Sequence, residues 1–193
     1  MAYYARFENI ENHLFRFDTR IYLGEHDPTL SGECVGAIVG KNPGSAQPTK
    51  LGLFAPLELD GDKMLPSVRN RFIAAYDEAR MNIPDHAFVQ VWNLFYLCNP
   101  NLDEAYAAIK QLPNKPKCPS EDNNPKTVWF AWGGNDEELN PFKCRFIKRD
   151  LTGFYYNHRS KAVVDHPPSE SDFAKHPQGM PSRPIINHLA TTL

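Results

Sequence analysis

At 193 residues the chain has the size of one domain, and a chain this long buries roughly 70% of its unfolded surface without disulfide or metal staples. Hydrophobic residues make up 41% and charged residues 23%, an ordinary soluble composition, and the net charge of −2 counts mildly against nucleic-acid binding while leaving room for a local basic patch. No apolar run reaches the roughly 18 residues of a membrane-spanning helix.

The opening residues, Met1 to Glu8, lack the apolar core of a signal peptide, so a cytoplasmic protein is expected. The four cysteines, Cys34, Cys98, Cys118 and Cys144, are scattered and form no CxxC pair. That spacing speaks against zinc, iron–sulfur ligation and a disulfide framework. Buried thiols are expected, with no metal and no other cofactor.

In chain order, residues 13–23 are aromatic-rich with partial alternation, which predicts a strand or hairpin, and residues 24–32 read as a loop. Val35 to Val39 is a short apolar run that predicts a buried strand, broken by the dense turn signal Gly40-Lys41-Asn42-Pro43-Gly44-Ser45. Residues 46–65 read as a long loop, a feature that is usually functional. Val68, Phe72, Ala75, Tyr76 and Ala79 recur at helical spacing and predict an amphipathic helix over 66–80, with Pro66 in its first turn. A second strand is predicted at Phe88–Trp92, stopping at Asn93, and a short helix at 103–110 with acidic residues at its start. A proline-rich loop spans 113–125. A third strand covers 127–132 and ends at Gly133-Gly134. A helix over 140–149 is expected to carry Asn140 as its cap and Pro141 at its first position. Residues 161–165 predict a fourth strand, ending at His166, and Ile185, Ile186 and Leu189 predict a short docking helix in the tail.

The alternation of strands and helices predicts an α/β fold of three α/β/α layers around a central, mostly parallel four-stranded sheet. In such a sheet Asn42, Asn93, the Gly133–Asp136 segment and His166 all leave at the carboxyl edge, where open α/β folds bind ligands. No G-x-G-x-x-G follows the first strand, which argues against a dinucleotide site.

Gly40-Lys-Asn-Pro-Gly44 resembles the first motif of the uracil-DNA glycosylase superfamily, written G-Q-D-P-Y in uracil-specific members and G-I-N-P-G in mismatch-specific ones. Further segments follow in family order. Leu51-Gly-Leu-Phe54 is similar to the G-L-x-F segment, Val91-Trp-Asn93 to the strand that reads the base, Val128 to Gly133 to the V-F-L-L-W-G strand, and His166-Pro-Pro-Ser169 to the closing H-P-S-P motif. His176-Pro177 is a second candidate for that last motif, and the family's intercalating leucine has no counterpart. The same combination is similar to the uncharacterised family known as DUF1643. The resemblance covers about residues 34–190 and implies one glycosylase-like domain over 1–193, with residues 1–33 an N-terminal extension.

The resemblance implies a monomeric enzyme that binds DNA, flips a pyrimidine from the stack and hydrolyses its N-glycosidic bond. Asn42 would orient the attacking water. His166, or His176 in its place, would donate to the base oxygen as it gains charge. Asn93 would read the base edge with an amide that both donates and accepts. Phe54 would stack on the base, and Lys41 would be a further base-binding residue. Gly44 stands where uracil-specific relatives place a tyrosine that blocks C5, so 5-substituted pyrimidines are the expected substrates, with Glu58, Asp60 and Asp62 near the substituent. Lys143, Arg145, Lys148, Arg149, Arg159, Lys161, Lys175 and Arg183 are candidates for a phosphate track, with Ser45 and Ser169 as hydroxyl or backbone contacts. Two other readings stay open: an inactive DNA- or base-binding module, and a hydrolase of free nucleosides or nucleotides.

Overall fold

The computed structural model describes residues 2–27, 30–44, 47–48, 50–59 and 61–193. Among these residues the chain forms nine strands, joined in one mixed sheet, and four α-helices. The strands are β1 (Tyr3–Ile10), β2 (His13–Tyr22), β3 (Cys34–Gly40), β4 (Gln47–Pro48), β5 (Phe54–Glu58), β6 (Phe88–Asn93), β7 (Val128–Phe130), β8 (Gly153–Asn157) and β9 (Ala162–Val164). The helices are α1 (Met64–Glu78), α2 (Leu102–Gln111), α3 (Asn140–Ile147) and α4 (Ser182–Thr192). No described helix is long and apolar enough to cross a membrane.

The α/β class holds, but the sheet is neither four-stranded nor mostly parallel. Its order is β4-β5-β1-β2-β6-β3-β7-β8-β9. Three neighbouring pairs run parallel, β6 with β3, β3 with β7, and β7 with β8, and the other five run antiparallel. Three expectations change with it. Residues 1–33 contribute β1 and β2, a hairpin that joins the sheet by pairing β2 with β6. The expected loop over 46–65 contains the β4–β5 pair. The strand after α3 that runs parallel to β7 is β8, which the sequence reading passes over, whereas β9 returns antiparallel beside it.

Alternation along the strands divides the core between the two faces of the sheet. Ile38, Val89, Val91, Trp129, Phe154 and Tyr156 pack with Leu65, Val68, Phe72 and Ala75 of α1 and with Ile185 and Leu189 of α4. Ala37, Val39, Trp92, Val128, Phe130 and Tyr155 pack with Ala105 and Ile109 of α2 and with Phe142 and Phe146 of α3. Two glycines let the layers close. A Cβ on Gly36 would stand 3.1 Å from the Phe72 ring, and one on Gly153 would stand 2.6 Å from the Phe130 ring and 2.8 Å from the Val128 carbonyl.

The hairpin contains a bulge that sets the orientation of its second strand. Register shifts between Tyr4 and Arg6, where two residues of β2 oppose one of β1, and Asp18 takes a φ of +50°. One extra residue swaps the faces on which odd and even positions lie. Phe15 and Phe17 therefore point to the α2–α3 face while Ile21 points to the α1 face. Arg6 holds the bulge, donating from Nε (3.2 Å) and Nη2 (3.1 Å) to the Asp18 carboxylate.

Phe72 is fully buried where α1 meets β3. Phe72→Ala is expected to lower the unfolding free energy by about 3–5 kcal/mol, read from urea denaturation midpoints at unchanged m-value.

Candidate active-site cleft

A cleft of about 460 Å³ opens where β3 and β7 end, with Gly40, Lys41, Asn42, Gly44, Trp132 and Gly133 among its walls. The start of α1 closes one side through Asp62, Lys63 and Met64, and Arg16, His176 and Gln178 complete the lining. The volume lies in the range of small-molecule sites.

Asn42 is fixed by its own amide. Its Nδ2 donates to the carbonyl of Asn99 (3.0 Å) and to that of Pro43 (3.1 Å). Both partners are acceptors, so the nitrogen is the atom that faces them and the carbonyl oxygen is the atom left for other contacts. Lys41, next to it, forms an ion pair with Asp136 at 2.7 Å that ties the loop after β3 to the loop after β7. Gly44 is exposed, and a Cβ there would meet nothing within 4 Å.

The histidine in the cleft is His176. Its segment is held at three points: Gly133 N–H donates to Ala174 O (2.7 Å), and buried Arg71 on α1 donates to Pro177 O (3.2 Å) and Met180 O (3.1 Å). Gly133 has a φ of +68°, and a Cβ there would press to 3.1 Å from the His176 Cβ, so two properties of glycine are used at once. His176 Nδ1 accepts from the Gln178 backbone N–H at 3.2 Å. The neutral ring therefore carries its proton on Nε2. Burial pulls its pKa below the ordinary value, with Lys41 acting the same way and Asp62 opposing.

His166 is exposed and does not line the cleft; its Nδ1 lies 2.8 Å from Pro167 O, and its ring lies beside Tyr155. The reason is strand direction. β9 runs antiparallel to β8, so its carboxyl end lies at the opposite edge of the sheet from the ends of β3, β6 and β7. Ser169 travels with it and donates to Asp172 in an exposed loop.

Asn93 ends β6 as expected, and it lies behind the cleft wall. It is 1% exposed, neither amide atom has a hydrogen-bond partner, and its Oδ1 would stand 3.0 Å from a Cβ on Gly40. Phe54 is outside the cleft, stacked on Tyr4 with the Arg20 guanidinium over its ring. Glu58 is exposed at the end of β5, while Ser45 and Asp60 lie outside the described residues.

The expected phosphate track divides in two. Lys143 is buried, and its ammonium donates to Asp136 O, Asn140 Oδ1 and Glu170 O. Asn140 is accordingly the first residue of α3 and not its cap. Arg145 donates to the carbonyls of Asn93 (3.1 Å) and Leu94 (3.0 Å) and pairs with buried Glu121 at 2.9 Å. Arg149 donates to Asn123 O, and Arg183 pairs with Glu78. Arg159 and Lys161 are exposed in the turn after β8, at the carboxyl edge, and Lys175 is half-buried directly before His176.

Sequence reasoning missed Arg16 and Trp132 as cleft residues. Trp132 was legible only as part of an apolar strand, and the bulge that turns Arg16 toward the α1 face has no signature in the residue pattern. Among the described residues no group of three or more His, Cys, Asp or Glu side chains is placed to hold a metal ion.

Arg145→Met is expected to cost about 3–5 kcal/mol of stability, because it strands the buried Glu121 carboxylate, and thermal unfolding checks it. His176 gives a pH signature. The unfolded chain takes up its proton near pH 6.5, whereas the folded chain resists to lower pH. Stability therefore falls as pH drops below about 6.5. His176→Gln reduces that slope, and the remainder belongs to His188 and His26, which burial shifts the same way. Urea titrations between about pH 5 and 8 measure it.

Compared with protein-family models, curated proteins and solved structures, the chain matches none.

Proposed function

We propose that the chain is a monofunctional DNA glycosylase, with Asn42 and His176 as its catalytic residues. The observation that carries this reading is their meeting in one cleft, with complementary free groups. Asn42 has its amide nitrogen engaged and its oxygen left over, which suits holding a water. His176 is neutral with a proton on Nε2, which suits donating to a carbonyl oxygen that becomes anionic.

The reaction balances with these two groups. The bond between the sugar C1′ and the base nitrogen breaks and its electrons leave with the base. A water held on Asn42 Oδ1 forms the new C1′–O bond and loses a proton to solvent. His176 Nε2–H stabilises the departing base without transferring its own proton, a contribution worth about 2.7–4 kcal/mol in comparable oxyanion sites. Asparagine is no strong base, so the role of Asn42 is orientation. The open space at Gly44 supports a substrate with a substituent at pyrimidine C5, in a mismatch or a modified DNA. Of the expected track, Lys148, Arg159, Lys161 and Lys175 are the cations left for DNA phosphates.

A second reading, hydrolysis of a free nucleoside or nucleotide, is favoured by one observation: Lys143 and Arg145, two of the eight cations of the expected phosphate track, are turned inward.

Duplex and single-stranded oligonucleotides carrying uracil, mismatched thymine or 5-substituted cytosines, assayed for alkali-labile sites, test the proposal. Asn42→Ala is expected to lower base release at least about 100-fold with an unchanged thermal midpoint, and His176→Ala about 100-fold, while His166→Ala stays within about twofold of wild type. Full activity in Asn42→Ala overturns the assignment. Cleavage of uracil alone overturns the role given to Gly44, and base release from nucleosides but never from oligonucleotides selects the second reading.

A further inference from the structure

We propose that the cleft takes its ligand by a multi-oxygen anionic group, a carboxylate or a phosphate, seated on the guanidinium of Arg16. This rests on the cleft being the ligand site of the glycosylase reading, and it adds a charge requirement that the glycosylase reaction does not need.

Arg16 is 1% exposed, and its Nε and Nη1 are buried with no hydrogen-bond partner among the described residues. It nevertheless lines the cleft. Its backbone is held in β2, opposite Phe7, and donates to Tyr96 O at 2.9 Å, so the residue is placed by the sheet and not by a salt bridge. A buried guanidinium without a counter-charge is among the least favourable arrangements a folded chain can keep.

Among the described residues no carboxylate reaches the guanidinium as an ion pair, and Asp62 acts on it only at longer range. Asp62 is the one carboxylate among the cleft-lining residues, and its Oδ1 accepts the backbone N–H groups of Met64 and Leu65 at the start of α1. No ion pair joins it to Arg16 among the described residues. The Cys98 thiol, which interacts with Arg16, is pushed up to about 11 by burial and is uncharged at neutral pH. Lys41 and Lys63 add positive charge to the walls, and Lys41 alone of the two has a carboxylate partner, Asp136. Trp132, on the same walls, has a buried indole N–H with no partner. Among the described residues the unpartnered buried atoms of the cleft-lining side chains are thus all donors, and what they lack is an acceptor with negative charge. The planar guanidinium fork matches a carboxylate or a phosphate better than a single oxygen.

Two sources carry that chemistry: an acidic substituent on the base, in the space left open at Gly44, or the phosphate of a nucleotide. Isothermal titration of the intact protein with 2′-deoxycytidine, 5-carboxy-2′-deoxycytidine and 2′-deoxycytidine 5′-monophosphate separates them. At least one acidic ligand is expected to bind about tenfold or more tightly than the neutral nucleoside. Arg16→Met should erase that preference, and Arg16→Lys should retain part of it. A preference for the carboxylated nucleoside assigns the group to the base, and one for the monophosphate assigns it to the backbone.

Equal binding of all three ligands by the wild-type protein, or binding of none at millimolar concentration, overturns the proposal. So does a preference that survives in Arg16→Met. Should that variant fail to fold, the wild-type comparison and Arg16→Lys decide. Base release without any acidic preference sinks the anion site alone. Arg16-dependent binding without base release from any oligonucleotide sinks the glycosylase reading alone.

Discussion

β3 is hydrogen-bonded along both edges, to β6 and to β7, and the cleft follows from that constraint. A strand paired on both sides and covered on both faces has no freedom to slide or tilt. The coupling continues past its end, where Gly40 O accepts from Leu94 N–H and Lys41 O from Phe95 N–H. The loops after β3 and β6 therefore leave the sheet tied together. Asn42 appears one residue later, already oriented, and needs only the carbonyl of Asn99 to settle its amide.

Beyond the strand ends the ladder stops, and the loops carry carbonyl groups that the sheet no longer satisfies. The chain answers with cations. Arg71 takes the carbonyls of Pro177 and Met180, Arg145 those of Asn93 and Leu94, Lys143 those of Asp136 and Glu170, and Arg69 those of Tyr22 and Leu23. Each serves two carbonyls: Lys143 joins two separate loops, and each arginine fastens its helix to one neighbouring segment. This explains why cations that look like a surface track on α3 face inward: a short helix packed at the end of a sheet is where unmatched carbonyls collect. Among the described residues Arg16 differs from these four in having no carbonyl to serve.

Much of the frame was readable from residue pattern. The Val35–Val39 run, the helical spacing over 66–80 and the Gly-Pro turn after β3 each correspond to an observed element, because each is a local signal with a single physical reading. The losses are of another kind. Strand direction is set by pairing partners far away in sequence, so His166 and His176 could not be separated by motif. Five residues after a cationic helix, Gly153–Asn157, gave β8 too little length to stand out. The bulge at Asp18 interrupts the alternation along β2, so the inward position of Arg16 has no sign in the residue pattern.

The ends of the sheet have a consequence of their own. An open sheet presents two rows of unpaired backbone groups to any other extended chain. Among the described residues one outermost strand, β4, covers two residues and includes Pro48, which has no N–H to offer, and the other, β9, covers three. A foreign strand would find too short a template on either side to gain a ladder. Among the described residues both flanks of the sheet thus offer little backbone for a further strand to pair with.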